Sequence, residues 1–376
     1  MTIPYLLTPG PLTTSMTVKE AMLRDWGSRD VAFIELNRRV RSRLLALANA
    51  SEDHVCVPLQ GSGTFAIEAT LSTMLAKGDK LLVLVNGAYG RRMVAMCHAM
   101  GRAVETLEWR EDEPVDAPRV RERLTDDPSI SHVALVHCET TSGVLNPLAD
   151  VARVVAERGR SLIVDAMSSF GALPTDAREV TFDALVASSN KCLEGVPGMG
   201  FALLRREMLA TCEGNASSLS LDLYDQWQGF ERNDQWRFTP PTHVVAALAR
   251  ALDEHESEGG VAGRGARYAR NHEVLVDGME AMGFECLVAR SNQAPIIVTF
   301  LTPASTRFHF SEFYDALAAK GFLIYPGKLT VADSFRVGCI GRLGENEILA
   351  ALDAIRSTLD EMGVEDGAPS LQALLS

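Results

Sequence analysis

The chain is short of positive charge, poor in aromatic residues and without a long apolar run. Its 376 residues carry 36 lysines and arginines against 49 aspartates and glutamates, for a formal net charge of −13. That balance argues against nucleic acid or an anionic membrane as a partner, because both need a cationic surface. It does not forbid an anionic substrate, since one local arginine decides binding more than the global sum does. No stretch approaches the ~20 apolar residues of a membrane-spanning helix. No basic segment followed by an apolar one opens the chain, so no signal peptide is expected and the cytoplasm is the expected location. The 7 cysteines are scattered without metal-like spacing, and their odd number fits reduced thiols. No metal site is expected. Internal repeats and low-complexity tracts are also missing. What remains is ordinary: 47% hydrophobic and 23% charged residues. A chain of this length can bury a large core and form more than one domain.

Strand and helix patterns alternate from about His54 to Arg206, which predicts an α/β fold with a mainly parallel sheet. Apolar runs predict strands at residues 54–59, 80–85, 132–136, 162–165, 184–187 and 200–204. Helical patterns between them cover residues 65–76, 89–100 and 147–158. Residues 213–238 read as irregular. Glu258-Gly259-Gly260 is a glycine break after a charged helix and the best domain boundary. Beyond it a smaller α+β unit is expected, with strands at residues 296–300 and 335–339 and helices at 311–320 and 345–360.

The densest chemical signal is Ser188-Ser189-Asn190-Lys191-Cys192-Leu193-Glu194-Gly195-Val196-Pro197-Gly198. It follows the predicted strand at 184–187. A lysine just past a strand end sits at the rim of a sheet, where ligand crevices form. Partial desolvation there lowers the amine pKa and makes it a nucleophile toward an aldehyde. The rival reading is a solvated lysine in a glycine-rich turn. Upstream, Ser161-Leu162-Ile163-Val164-Asp165 is an apolar strand that ends in a carboxylate. Such an aspartate often only caps a turn. A pyridoxal-phosphate enzyme, however, needs both a lysine to bond the cofactor aldehyde and an acid to keep its ring nitrogen protonated. A third element is Gln60-Gly61-Ser62-Gly63-Thr64, a glycine turn between a strand and a helix. Backbone N–H groups and the helix dipole there suit a phosphate, and the hydroxyls of Ser62 and Thr64 can add to it.

Together these residues resemble the class V aminotransferases, a family of fold-type I pyridoxal-phosphate enzymes. The resemblance runs from Thr8-Pro9-Gly10-Pro11 through Asn86-Gly87-Ala88-Tyr89-Gly90, His137-Cys138-Glu139-Thr140-Thr141-Ser142-Gly143, Asp165 and Lys191 to Phe335-Arg336-Val337-Gly338. Asn190-Lys191-Cys192 with Gly195-Val196-Pro197-Gly198 is similar to the subgroup that moves the amino group of 2-aminoethylphosphonate to pyruvate. Many other members place His, Gln or Arg before the lysine. Alanine–glyoxylate and serine–pyruvate aminotransferases on the same fold are the alternative, and a non-catalytic pyridoxal-phosphate binder is the alternative of another class.

The resemblance implies a large cofactor-binding domain over residues 17–260 and a small C-terminal domain over 261–376, which residues 1–16 join. It implies Lys191 and Asp165 as catalytic residues. Pyridoxal 5'-phosphate is implied to lie among Ser62, Gly63, Thr64, Tyr89, Thr140, Asp165, Asn190 and Lys191. Tyr89 would stack on the cofactor ring, and Thr140 would bond its phenolate oxygen. Trp236 and Thr239 stand where family members reach the phosphate of a neighbouring subunit, although a tyrosine often replaces Trp236. A homodimer with shared sites is therefore expected. Arg336 matches the substrate-anchoring arginine, with Ser28 and Arg29 as further substrate-binding candidates. Its planar fork suits a carboxylate or a phosphonate, so one arginine could serve an aminophosphonate donor and a 2-oxo acid acceptor.

Overall fold

Uninterrupted apolar runs dominate the middle of the chain, and a strand with no polar face must be covered on both sides. The computed structural model, which describes residues 3–327 and 332–370, shows how. A seven-stranded sheet has the spatial order His54–Gln60, Met199–Arg205, Ala184–Ser188, Ser161–Asp165, His132–Val136, Lys80–Val85 and Ala103–Glu108. Alternate residues of each strand feed two cores. Leu82 and Leu84 face one, whereas Leu81, Val83 and Val85 face the other. Helices complete both layers. Leu148–Glu157, for example, presents Leu148, Val151, Ala152 and Val155 as one buried stripe.

The sheet is mainly parallel, with one exception. Met199–Arg205 runs antiparallel to both of its neighbours, pairing Gly200 with Leu59 and with Ser188. The other six strands therefore point the same way, and their C-terminal ends share one edge.

The segment read as irregular contains a helix, Leu223–Asn233. Asp222 caps its start by accepting from Asp225 N–H, and Asp234 ends it in the left-handed conformation at φ 58°. Its buried stripe of Leu223, Gln226, Trp227 and Phe230 includes a glutamine, which masks the apolar period. Two further helices, Met16–Glu20 and Val31–Leu47, and the edge strand Ala103–Glu108 were not anticipated.

After Ser257 the chain turns at Gly259, whose φ of 99° suits glycine, and enters the helix Gly260–Glu280. Beyond it, Ile297–Leu301, Ser334–Gly338 and Tyr325–Pro326 form a three-stranded antiparallel sheet. It packs on Phe310–Ala319 and Glu345–Met362 through a phenylalanine-rich core built on Phe284, Phe300, Phe313 and Phe335. The N-terminal segment lies on this unit. Tyr5–Leu6 pairs with Phe322–Leu323, and Leu7 is buried in the same core. Among the described residues, no helix is long and apolar enough to cross a membrane.

Candidate active site

The common edge of the sheet gathers Gln60, Val85, Val136, Asp165 and Ser188 at neighbouring strand ends. A crevice there is the expected ligand position of an open α/β sheet. One cavity of about 180 Å³ occupies it. Ser62, Gly63, Thr64 and Tyr89 line it from one side, and Thr140, Asp165, Asn190 and Lys191 from the other. Eight of the ten expected cofactor positions thus meet in one place, all but Trp236 and Thr239.

Lys191 lies three residues past Ser188, in a turn tied back by the Ser189 N–H to Met199 carbonyl bond of 3.0 Å. Its Nζ donates to the Pro9 carbonyl at 2.6 Å. Packing around the amine strips it of water and pushes its pKa below the usual lysine value. Gly10 explains why the opening motif needs a glycine. Its φ is +114°, and a Cβ there would lie 2.5 Å from Lys191 Cδ. The N-terminal Thr-Pro-Gly-Pro run is therefore part of the site. Pro9 and Gly10 were absent from the predicted site residues, although the motif itself was the signal.

Asp165 is 5% exposed. Among the described residues its carboxylate accepts one hydrogen bond, from Met167 N–H at 2.9 Å. Burial raises its pKa to about 6, against the opposing pull of that bond, Lys191 and Arg92. A buried carboxylate with an unused oxygen at the cavity wall fits a protonated pyridine nitrogen. The turn on the other wall fits a phosphate. Ser62 precedes the helix Gly63–Met74 in extended conformation, and its hydroxyl makes no capping bond to that helix. A Cβ at Gly63 would come within 2.3 Å of Met167 Sδ, so any side chain there would have to displace Met167. These features fit pyridoxal 5'-phosphate.

Among the described residues, two cationic side chains line the cavity, Lys191 and Arg92. Arg92 was not predicted. It sits one turn after Tyr89 on the helix Ala88–Ala99, 4.8 Å over the Tyr89 ring, and donates to Thr64 Oγ1 at 3.2 Å. Its charge was hidden beside exposed Arg91 on an amphipathic helix. Cys192, next to the lysine, is fully buried, and burial pushes its thiol up to about 12. It packs; it does not titrate.

Arg336 approaches from the small sheet. It is 5% exposed and donates to the Thr140 carbonyl at 2.8 Å and the Pro326 carbonyl at 3.0 Å. Among the described residues its Nε is buried without a hydrogen-bond partner. Its bond to Thr140, a cavity-lining residue, puts the guanidinium next to the site. Trp236, Thr239, Ser28 and Arg29 are not brought to Lys191. They share a separate hollow with Arg237, Phe238 and Pro240. The Trp236 indole N–H is already bonded to Asn37 Oδ1 at 3.0 Å.

Comparison with known proteins agrees with this geometry. The family model described as aminotransferase class-V matches residues 15–337. A 2-aminoethylphosphonate–pyruvate transaminase of Burkholderia lata is 54% identical over 361 residues, covering 96% of each chain. One from Pseudomonas putida is 53% identical over 363 residues, 96% of this chain and 99% of that one. Among solved structures, an alanine–glyoxylate aminotransferase from Nostoc superposes with a TM-score of 0.89 at 26% identity, covering 96% of each chain. A pyridoxamine–pyruvate aminotransferase from Mesorhizobium loti gives 0.89 at 25% identity, covering 100% and 97%. With the lysine, the buried carboxylate and the phosphate-fitting turn on one sheet edge, and a family match over most of its length, this chain belongs to the class V aminotransferases.

Proposed function

We propose that the protein transfers the amino group of 2-aminoethylphosphonate to pyruvate, yielding phosphonoacetaldehyde and L-alanine. The observation that carries this reading is the meeting of Lys191, Asp165 and the Ser62-Gly63-Thr64 turn in one cavity, with Arg336 bonded to the cavity-lining Thr140. The relatives above, more than half identical over nearly the whole chain, supply the substrate pair.

Pyridoxal 5'-phosphate, when bound, supplies an aldehyde for the amino group and a cationic ring that withdraws electrons. Asp165 would hold the proton on the ring nitrogen, since a buried carboxylate is best stabilised by a cation against it. Ser62, Gly63, Thr64 and Asn190 would hold the phosphate, Tyr89 would cover the ring and Thr140 would bond its phenolate oxygen. The Lys191 amine, whose burial favours the uncharged form, takes the proton from the nitrogen-bearing carbon of the donor. In the second half-reaction it delivers a proton to the carbon that becomes C2 of alanine. Arg336 binds the phosphonate of one substrate and the carboxylate of the other. Residues 17–260 act as the cofactor-binding domain. Residues 261–376, joined by 1–16, act as the small domain that carries Arg336.

We further read the protein as a cytoplasmic homodimer. Phe65 and Phe238, each 51% exposed, flank the hollow that holds Trp236 and Thr239. A second copy would cover these rings and bring Thr239 and Trp236 toward the neighbouring phosphate. Light scattering of the purified protein tests the dimer. A donor screen with pyruvate tests the reaction. Alanine should form from 2-aminoethylphosphonate far faster than from serine or other amino acids. Comparable rates from serine would replace this assignment with the serine–pyruvate one.

A further inference from the structure

Glu139 is fully buried, yet it does not line the cavity. Its carboxylate faces N–H and O–H donors from two elements. Oε2 accepts from Tyr89 N–H at 3.2 Å, and Oε1 accepts from Thr141 N–H at 3.1 Å and from the Thr141 hydroxyl. Thr141 Oγ1 in turn accepts from Ala88 N–H at 3.1 Å. Glu139 and Thr141 together therefore bond the first two N–H groups of the helix that carries Tyr89. The neighbouring peptides reach the other way. The Thr140 carbonyl accepts from Arg336, and the Gly143 carbonyl accepts from Ala294 N–H at 2.8 Å.

We propose that Glu139 is a positioning residue that locks the cofactor-facing aromatic Tyr89 to the substrate-facing Arg336 through the hairpin 139–144. Tyr89 and Arg336 come from different parts of the fold and make no hydrogen bond to each other. Their relative position is set by the one turn that both hold. A carboxylate suits the task because both of its oxygens accept. Glutamine would turn an N–H toward one of the donors. Gly87 belongs to the same device. A Cβ there would lie 2.3 Å from Glu139 Cδ and Cγ. Its φ of −179° is extended and open to any residue, so the glycine is required by the space Glu139 takes and not by its backbone.

This inference rests on the roles given above to Tyr89 and Arg336. It is tested on the holoenzyme with Glu139→Gln, Gly87→Ala and the milder Thr141→Val. Visible circular dichroism per bound cofactor, cofactor affinity, KM for pyruvate, kcat and the thermal midpoint are measured for each. Glu139→Gln and Gly87→Ala should each halve the dichroism or more, and weaken cofactor binding and raise KM for pyruvate about tenfold, as loss of a buried hydrogen bond does. Thr141→Val should move the same quantities less. Borohydride reduction should still attach the cofactor to Lys191. On a Glu139→Ala background the space is empty, so adding Gly87→Ala should change these quantities less than twofold. A lower thermal midpoint with dichroism, affinity and KM all within twofold of wild type would mean a purely structural role and overturn the proposal. So would Glu139→Ala and Gly87→Ala effects that simply multiply. If wild type makes no alanine from 2-aminoethylphosphonate, the substrate assignment fails instead, and dichroism and cofactor affinity still decide the role of Glu139.

Discussion

The turn at residues 60–65 separates two hollows of different construction. On one side, the Lys191 cavity is walled by groups with fixed partners: Lys191 on Pro9, Asp165 on Met167, Arg92 on Thr64. On the other side, the hollow around Trp236 is rimmed by half-exposed Phe65 and Phe238, with Arg29 exposed. The first holds charges that cost free energy to bury unless a ligand compensates them. The second holds apolar surface that gains from being covered. The first therefore reads as complete in chemistry within one chain, and the second as an incomplete surface awaiting another. Substitutions in the two should differ in kind: rate in the cavity, assembly and cofactor retention in the hollow.

The largest effect is expected at Lys191. Lys191→Ala removes both the tether and the proton carrier, and activity should fall on the order of ten-thousandfold. Borohydride reduction should then leave no lysine-linked cofactor. A reduced adduct on another lysine would break the assignment. Asp165→Asn keeps the shape but loses the charge. Turnover should drop about a thousandfold, equivalent to roughly 4 kcal/mol of barrier. The same substitution has an opposite effect on the cofactor-free protein. The folded Asp165 pKa of about 6 lies above the ordinary aspartate value of 3.8. The folded state thus holds this proton more tightly than the unfolded one, and the associated stability is present below pH ~4 and is lost as pH rises through ~6. Cofactor-free Asp165→Asn should therefore be more stable than wild type at pH 7–8, by up to roughly 3 kcal/mol, and the gain should vanish toward pH 4. Denaturant unfolding at several pH values measures it. A gain that persists at pH 4 would place the cause elsewhere.

The contrast between the hollows also separates what was legible in the sequence from what was not. Asp165 and Lys191 follow buried strands with unbroken apolar runs, so both their position and their edge of the sheet could be read directly. The glycine turn at Ser62 was legible for the same reason. Ala103–Glu108 was missed because an edge strand alternates, and Glu105 and Glu108 make it look like a loop. Arg92 was missed because three-dimensional proximity to Thr64, not spacing, gives it a place in the cavity. Glu139 was quoted only as part of a motif, because a buried carboxylate with three donors leaves no trace in composition. Trp236 and Thr239 were assigned by family likeness alone. The single chain places them away from Lys191, which is what a role across a subunit boundary requires.

Arg336 sharpens the comparison from the small domain. Arg336→Lys replaces a planar fork by a point charge, and Arg336→Ala removes the cation. Loss of a charge-assisted contact costs about 1.5–3 kcal/mol, so kcat/KM should fall from about ten- to more than a hundredfold, with alanine the worse variant. Single-turnover assays separate the half-reactions. Both should suffer, because one arginine is proposed to hold both anions. If only the pyruvate half-reaction slows, the phosphonate is held by other groups, and Arg92, which lines the cavity with Lys191, is the next to test.

The smallest effect is expected in the second hollow, and it is the most diagnostic of the contrast. Thr239→Val removes one hydroxyl from an exposed position. In a single chain it touches nothing at Lys191, so a protein whose sites were independent would show no change. If Thr239 donates to the phosphate of the neighbouring subunit, the substitution should weaken cofactor binding about tenfold and leave kcat of the saturated enzyme within about twofold, as for one lost hydrogen bond to a charged group. Phe238→Glu should act more broadly. A charge placed on a half-exposed apolar rim opposes burial, so the dimer should loosen in light scattering and cofactor affinity should fall with it. The two readouts must move together. Weaker cofactor binding by Thr239→Val with an unchanged dimer, and joint loss of both by Phe238→Glu, would fix the hollow as a site completed by a second copy. An unchanged cofactor affinity in both variants would leave the Lys191 cavity self-sufficient and remove Trp236 and Thr239 from the cofactor's surroundings.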